Sequence, residues 1–300
     1  MIKRSLALLT AVAAILLLFL LFVRPWYLRW GATDADLSRS LPGDEIIPNA
    51  AAQETRAISI AAPADSVWPW LAQLGQDRGG FYSYDLLENL VGCRMPTEDR
   101  LRPDRQGWQL GDKLWMYPAT KAGGVGFATL RTYVPGRALA FGTRAIGAPL
   151  TAAENGSWSF VIEPTSAGES RLLVRGRGAP GRSVLGAGFD HAIFEPIHFA
   201  MERRTMLGIK ALAEGSSRGR VGNHAQVVLW VLTFGLVIAG VIMVLRATHW
   251  VRAVMLFAAA CALFQVLTLR QPPVLIGAAL VVGVSWLLRW AAGGPRLSPS

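Results

Sequence analysis

The stretch GFDHAIFEPIHFAMERRTMLGIKALAE, residues 188–214, decides how the chain is to be read. Advanced by the helical angle, it puts Phe189, Ile193, Ile197, Ala200, Met201, Leu207 and Ala211 on one stripe and His191, Glu195, His198 and Glu202 opposite. The spacing predicts a long amphipathic helix. Gly188 precedes it, Gly215 is a natural stop, and Lys210 lies near the carbonyl end, where a cation is favoured. Such a stripe needs a partner surface. A single antiparallel sheet curled around the helix, built from the alternating segments upstream, is the simplest way to bury it.

Those segments can be taken backwards from the helix. In residues 170–177, Leu172 and Val174 oppose Arg171, Arg175 and Arg177, and in residues 157–163 Trp158, Phe160 and Ile162 oppose Ser157, Ser159 and Glu163. Residues 125–134 and 138–143 read as strands joined at Pro135-Gly136, and residues 113–117 as a strand introduced by Gly111-Asp112. Residues 54–61 form the expected first strand, with Ile58 and Ile60 on one face. Two short helices are expected after it. Ser66 caps the first, Pro69 sits in its first turn and Gly75 ends it; Asp85 and Glu88 form a capping box for the second, which runs to Gly92. Residues 32–48 are polar, with two prolines and few apolar residues, and read as a linker.

The runs TRAISIAAPADSVWPWLAQLGQDRGGFYSYDLLENLVG (55–92), SWSFVIEP (157–164), SRLLVRGRG (170–178) and HFAMERRTMLGIKALAE (198–214) resemble a membrane-anchored bacterial branch of the SRPBCC superfamily. That superfamily includes START lipid-transfer, Bet v 1-like and polyketide cyclase-like proteins. The resemblance covers residues 31–214 and implies an α+β helix-grip fold: one strand, two short helices, a run of antiparallel strands and a long C-terminal helix around an apolar cavity. No shared catalytic motif defines the superfamily, so it carries over no catalytic residue. Phe81, Tyr82, Trp115, Tyr117, Phe127, Phe141, Trp158 and Phe160 either fill a core or line a cavity. The helix-grip expectation makes them candidate walls, joined by Phe194, Ile197 and Met201 from the long helix, with Arg175 as the candidate contact for a polar head.

The chain has 300 residues, is 52% hydrophobic and 17% charged, and carries a net charge of +10, a balance that raises a nucleic-acid partner. The distribution argues against one. All twenty acidic residues lie between Asp34 and Glu214, and Arg39 to Arg220 supply 21 basic ones, so that middle region has a net of +1; the other nine basic residues flank apolar runs, as in a membrane protein. Residues 6–23 follow Lys3 and Arg4 and are long enough to cross the hydrocarbon. Arg24, Pro25, Trp26 and Tyr27 come next instead of a small-x-small cleavage site, so the run reads as an uncleaved anchor with Trp26, Tyr27 and Trp30 at the interface. Residues 225–245, 251–269 and 273–290 read as three further spans, with Trp230, Trp250, Trp286 and Trp290 near their ends.

The expected organisation is an anchor (1–30), a linker (31–53), a helix-grip domain (54–215), a linker (216–224), three transmembrane helices (225–290) and a tail (291–300). With the amino terminus inside, Lys3, Arg4, Arg246, Arg252, Arg289 and Arg296 are cytoplasmic, against Arg24, Arg29, Arg218, Arg220 and Arg270 outside. That count favours an extracytoplasmic domain on a bacterial cell membrane.

Of the smaller motifs, Cys93 is the only thiol in the soluble part, so neither an internal disulfide nor a cysteine zinc site is expected there. Gly176, Gly178 and Gly181 imitate a dinucleotide fingerprint, but the phosphate-loop lysine is missing and Pro180 stands where a helix should begin; the reading is a loop beside the cavity. Asn155-Gly156-Ser157 fits a turn better than a glycosylation site. His191, Glu195, His198 and Glu202 are the best chemical candidates. They have the donors for zinc or iron and could also form a polar end to the cavity, but the opposite stripe already supplies the core contact, so a solvent face is expected and no metal or cofactor is assigned. Asp77, Asp85 and Glu88 beside Phe81, Tyr82 and Tyr84 offer a desolvated carboxylate for acid or base chemistry, with no nucleophile, base and orienting partner at a suggestive spacing.

The leading function is therefore membrane-tethered binding of a lipid or other hydrophobic small molecule, with the bilayer as partner and protein partners unspecified. A polyketide cyclase or aromatase-like enzyme and an interaction module that regulates a membrane partner stay open. The enzyme requires a buried ionisable residue in the cavity; the module requires no cavity. The spans hold no acidic residue, which argues against transport through them.

Overall fold

A computed structural model describes residues 2–96, 99–121, 124, 126–144, 151–179, 184–246 and 250–291. The chain forms two compact units, Pro25–Arg218 and Met1–Arg24 with Gly219–Ser300.

The Pro25–Arg218 unit holds six strands: β1 Ala52–Ile60, β2 Lys113–Trp115, β3 Phe127–Val134, β4 Ala138–Thr143, β5 Gly156–Ser166 and β6 Glu169–Gly178. They form one antiparallel sheet in the order β1-β6-β5-β4-β3-β2. Helices Ala64–Ala72 and Asp85–Leu90 lie between β1 and β2. After β6 come a short helix Val184–Phe189, a π-helical turn Asp190–Phe194 and the long helix Glu195–Ala213. This order fits a helix-grip fold. β4 follows the sequence reading residue for residue; Val125, the expected start of β3, and Pro180, Gly181, Arg182 and Ser183, the expected loop, lie outside the described residues.

Residues paired across strands share a face. One such row is Arg56, Val174, Phe160 and Leu139, and the next is Glu54, Gly176, Trp158, Phe141 and Leu130. Phe160, Val174, Leu139, Phe141 and Leu130 join Leu71, Leu74, Met206, Ile209 and Leu212 in one buried core, which marks this as the gripped face. Long, well-spaced branched and aromatic side chains on alternate positions explain why these segments are strands.

The opposite face carries Ala57, Leu173, Val161 and Ala138, and Leu41 covers them. Leu41 belongs to the segment read as a linker, which is a strap. Thr33 caps a short helix Asp34–Ser38 through a capping box with Asp36, and Gly43 then turns with φ +99°. A Cβ at Gly43 would meet Ala140 Cβ at 2.4 Å, so the strap lies too close to β4 for any other residue. The arginines of β6 are its rungs. Arg171 donates to Asp36 at 2.8 Å, and Arg175 to Thr55 at 3.0 Å, to the Arg39 carbonyl at 2.9 Å and to Asp44 at 2.7 Å, while Arg177 lies 3.4 Å from Asp44. Arg39 crosses to Glu163 at 2.6 Å. A polar, proline-containing stretch is ordered because charged strand positions hold it.

Two helix starts differ from the sequence reading. Helix Ala64–Ala72 begins after Pro63 with no side-chain cap, so Ser66 lies inside it. Helix Asp85–Leu90 begins after Tyr84, and Asp85 and Glu88 form no capping box, because Asp85 is buried and turns towards Arg218, 3.9 Å away.

The second unit contains most of the apolar helix Ile2–Leu28, together with Arg220–Arg246 and Trp250–Arg270; these three are long and apolar enough to cross a membrane. The last apolar helix, Val274–Trp290, is shorter. Gly240 brings two of them together, since a Cβ there would lie 3.1 Å from Phe257 Cα. Trp230 donates its indole N–H to the Leu267 carbonyl at 2.9 Å, a helix-to-helix tie. Trp26, Tyr27 and Trp30, expected at the membrane interface, belong to the other unit and all pack on Phe199.

Candidate ligand site

The long helix does not bury the stripe its periodicity marks. Its buried residues are Phe199, Ala200, Glu202, Thr205, Met206, Gly208, Ile209 and Leu212, while Phe189, Ile193, Phe194 and Ile197 are exposed. The cause is Glu202. A carboxylate normally marks the solvent face, but this one has a partner in the core: Glu202 and Arg56 on β1 both have side chains 1% exposed, with Arg56 Nη1 2.5 Å from Glu202 Oε1. Trp158 donates its indole N–H to Glu202 Oε2 at 2.7 Å, and Arg56 Nε donates to the Tyr27 carbonyl at 2.9 Å. The guanidinium lies 5.1 Å from the centroid of the Phe199 ring, on which the Tyr27 ring stacks at 5.3 Å.

Burial alone would raise the Glu202 carboxyl, but the charges of Arg56 and His198 and the bonds from Arg56 and Trp158 hold it below its ordinary value. Burial likewise works against the Arg56 cation, and the carboxylates of Glu202 and Glu54 more than offset it, so its pKa is raised. Both groups stay charged around neutrality. The pair is a fixed polar centre and does not exchange protons there.

From that centre the polar residues fan outwards. Glu195 accepts the Tyr27 hydroxyl at 3.0 Å and lies 2.7 Å from His191 Nδ1; His198 Nδ1 is 3.9 Å from Glu54. Among the described residues, no three His, Cys, Asp or Glu side chains converge in a way that could hold a metal. Glu202 is turned to Arg56 and Glu195 to Tyr27.

Beside this fan runs an aromatic row. Phe194, on the surface, stacks on His198 at 5.6 Å; His198 meets Trp158 edge-on at 5.5 Å; Trp158 stacks on Phe81 at 6.1 Å and leans on Phe160 at 4.6 Å. Of the twelve expected site residues, the structure thus brings Phe81, Trp158 and Phe194 together around His198, with Phe160 behind. Phe141, Phe160 and Tyr82 are at most 1% exposed. A wall of a water-sized void would keep accessible surface, so these three are core. Met201 is half-buried, its carbonyl accepting the Ser83 hydroxyl at 2.8 Å, and Ile197 is exposed.

The remaining four lie elsewhere. Leu114 and Ala128 pair on the gripped face, so their neighbours Trp115 and Phe127, paired with ring centroids 5.0 Å apart, point to the opposite one. Tyr117 follows β2 and donates to the Val91 carbonyl at 3.1 Å. Arg175 is a rung of the strap on the outer face, so it does not meet a ligand head on the gripped side.

The sequence reading missed Tyr27, Glu54 and Arg56. For the last two a signal existed: they share strand parity with Ile58 and Ile60, and a charge on an inward row implies a buried partner.

A second polar cluster surrounds the Asp85–Leu90 helix. Arg218, buried, bonds to Asp99 and lies over the Tyr82 ring, 5.7 Å from its centroid. Burial, and then the neighbouring Asp85 charge, push the Glu88 carboxyl up to about 7, with Arg218 opposing.

No protein-family model matches the chain, and no curated protein does. Solved structures similar to it include a polyketide-cyclase-like protein and aromatase/cyclases. The di-domain aromatase/cyclase BexL has 19% identity over 54% of this chain and 46% of that one, with a TM-score of 0.30. The Zhui aromatase/cyclase from Streptomyces has 16% identity over 57% and 95%, with a TM-score of 0.28. A polyketide-cyclase-like protein from Corynebacterium glutamicum has 14% identity over 60% and 93%, with a TM-score of 0.25. Likeness of this degree says nothing about ligand or reaction.

Proposed function

We propose that the Pro25–Arg218 unit binds a lipid or another hydrophobic small molecule along the row Phe194, His198, Trp158 and Phe81, and that the apolar helices tether it to a membrane. The row itself carries this reading: it runs from a surface ring into the core, and the Glu202 carboxylate beside it is held by Arg56 and Trp158. The tether is supported by the number of large apolar side chains the second unit exposes, among them Leu9, Leu21, Val231, Phe234 and Leu275, a surface that water does not favour and a bilayer does. We take Val274–Trp290 as a fourth span and retain the extracytoplasmic orientation from the arginine and lysine count.

The test is native mass spectrometry of the whole chain released from lipid nanodiscs. A stoichiometric apolar molecule that survives purification supports the reading and identifies its class. No bound molecule, together with no uptake of apolar fluorescent probes, ends it and favours the interaction module. A second reading, an enzyme that moves a proton on an apolar substrate, is favoured by Glu88, whose carboxyl titrates near neutrality. It requires Glu88→Gln to leave probe uptake intact and to abolish conversion of the bound molecule.

A further inference from the structure

Phe189, Ile193, Phe194 and Ile197 are 56%, 48%, 38% and 58% exposed, and they follow one another from the end of the short helix through the π-helical turn to the first turn of the long helix. Further along, the large apolar residues Met201, Met206, Leu207, Ile209 and Leu212 are all buried or half-buried. The exposed apolar surface is therefore concentrated at one end of the element. We infer that this end is a docking surface that rests against the bilayer.

The chain itself says why a bilayer covers it. The anchor's apolar run ends at Val23, and four residues later Tyr27 is fully buried in the soluble unit. Its hydroxyl donates to Glu195, which lies with Pro196 between Phe194 and Ile197 on the same turn. Its ring stacks on Phe199 one turn further on, with Trp26 and Trp30 beside it. The point where the chain leaves its first apolar segment is thus fastened to the turn that carries the apolar face. Polar groups beside that face also have partners: Glu195 is bonded to both Tyr27 and His191, and His198 stacks on Phe194 and meets Trp158 edge-on. An apolar end with its carboxylate hydrogen-bonded and tryptophans beside it matches an interfacial helix segment. It also gives the aromatic row a mouth on the hydrocarbon side, so that a lipid reaches His198 and Trp158 without crossing water.

This inference rests on the membrane tether proposed above, and the experiment separates the two. Single cysteines replace Ile193 (Ile193→Cys) and Ile197 (Ile197→Cys) in the whole chain with Cys93→Ser and Cys261→Ser. They carry nitroxide labels, and the protein is reconstituted in phosphatidylcholine–phosphatidylglycerol liposomes. Leu9→Cys and Val231→Cys report the tether, and Gly168→Cys, exposed between β5 and β6, reports water. Collision with oxygen, which concentrates in lipid, is compared with collision with a water-soluble nickel chelate. Docking gives labels at 193 and 197 an oxygen preference severalfold above that at 168. Water-like values at 193 and 197 with lipid-like values at 9 and 231 overturn the docking surface and leave the tether standing. Water-like values at all five sites overturn both. Labels at 193 and 197 shielded from both reagents mean that protein, a second copy or a partner, covers the face, and overturn docking to lipid.

Discussion

Replacing Glu202 with Gln removes one charge from a pair in which each side chain is 1% exposed. The carboxamide still accepts the Trp158 indole N–H, so packing is nearly unchanged. What changes is that the Arg56 cation is left with Glu54 at 3.7 Å and the Tyr27 carbonyl. Breaking a pair this buried costs about 3–5 kcal/mol, because the surviving charge stays desolvated; the same change in an exposed pair would cost ~1 kcal/mol or less. For a unit of this size each kcal/mol moves the thermal midpoint by about 2–4 °C, so the expected fall is about 6–20 °C. Near-UV circular dichroism of the whole chain in detergent reads it. Removing both charges, Arg56→Met with Glu202→Leu, is expected to recover most of the loss.

The acid limb gives a second readout. The Glu202 carboxyl is held below its ordinary 4.5 in the folded state. The stability it contributes is complete above that value and is lost as pH falls through the lower folded one, so Glu202→Gln should lose this part of the acid dependence. A Glu202→Gln midpoint within about 2 °C of native would show that the pair is hydrated and that the polar centre described here is wrong.

Glu88 has the opposite sign. Its carboxyl is raised from 4.5 to about 7, so between those values the folded chain keeps a proton the unfolded chain has released, and stability falls as pH rises. Glu88→Gln should remove that slope; parallel pH curves for variant and native protein would refute the shift. Arg175→Met should loosen the strap, making residues 32–48 a protease target while leaving apolar-probe uptake unchanged, since its bonds all lie on the outer face. Loss of uptake with an intact strap would return Arg175 to the ligand. Gly208→Ala puts a Cβ 2.4 Å from the Tyr82 carbonyl oxygen, where φ of +55° already marks a constrained backbone. Alanine gains about 1 kcal/mol of helix propensity, yet overpacking of about 1–3 kcal/mol should leave the protein less stable in thermal unfolding. A stabilised variant would mean that the contact between helix and loop is looser than described.

Periodicity and turn chemistry determined the element order: alternation at residues 157–163 and 170–177, Pro135-Gly136 between β3 and β4, and a helix to Gly215. These are local rules, set by side chains within a few positions of each other, and one chain carries them in full. The tertiary structure decided which face of the long helix and of β2 and β3 is inside, and what covers the sheet. Glu202 reads as a solvent residue until Arg56, 146 positions away, is beside it. Residues 32–48 read as a linker until β6 presents Arg171, Arg175 and Arg177 to them. Trp115 and Phe127 read as cavity walls until the β2–β3 register turns them outwards. In each case the deciding partner is distant in sequence, and burial of a charge or a ring depends on that partner and not on the neighbours that set the period.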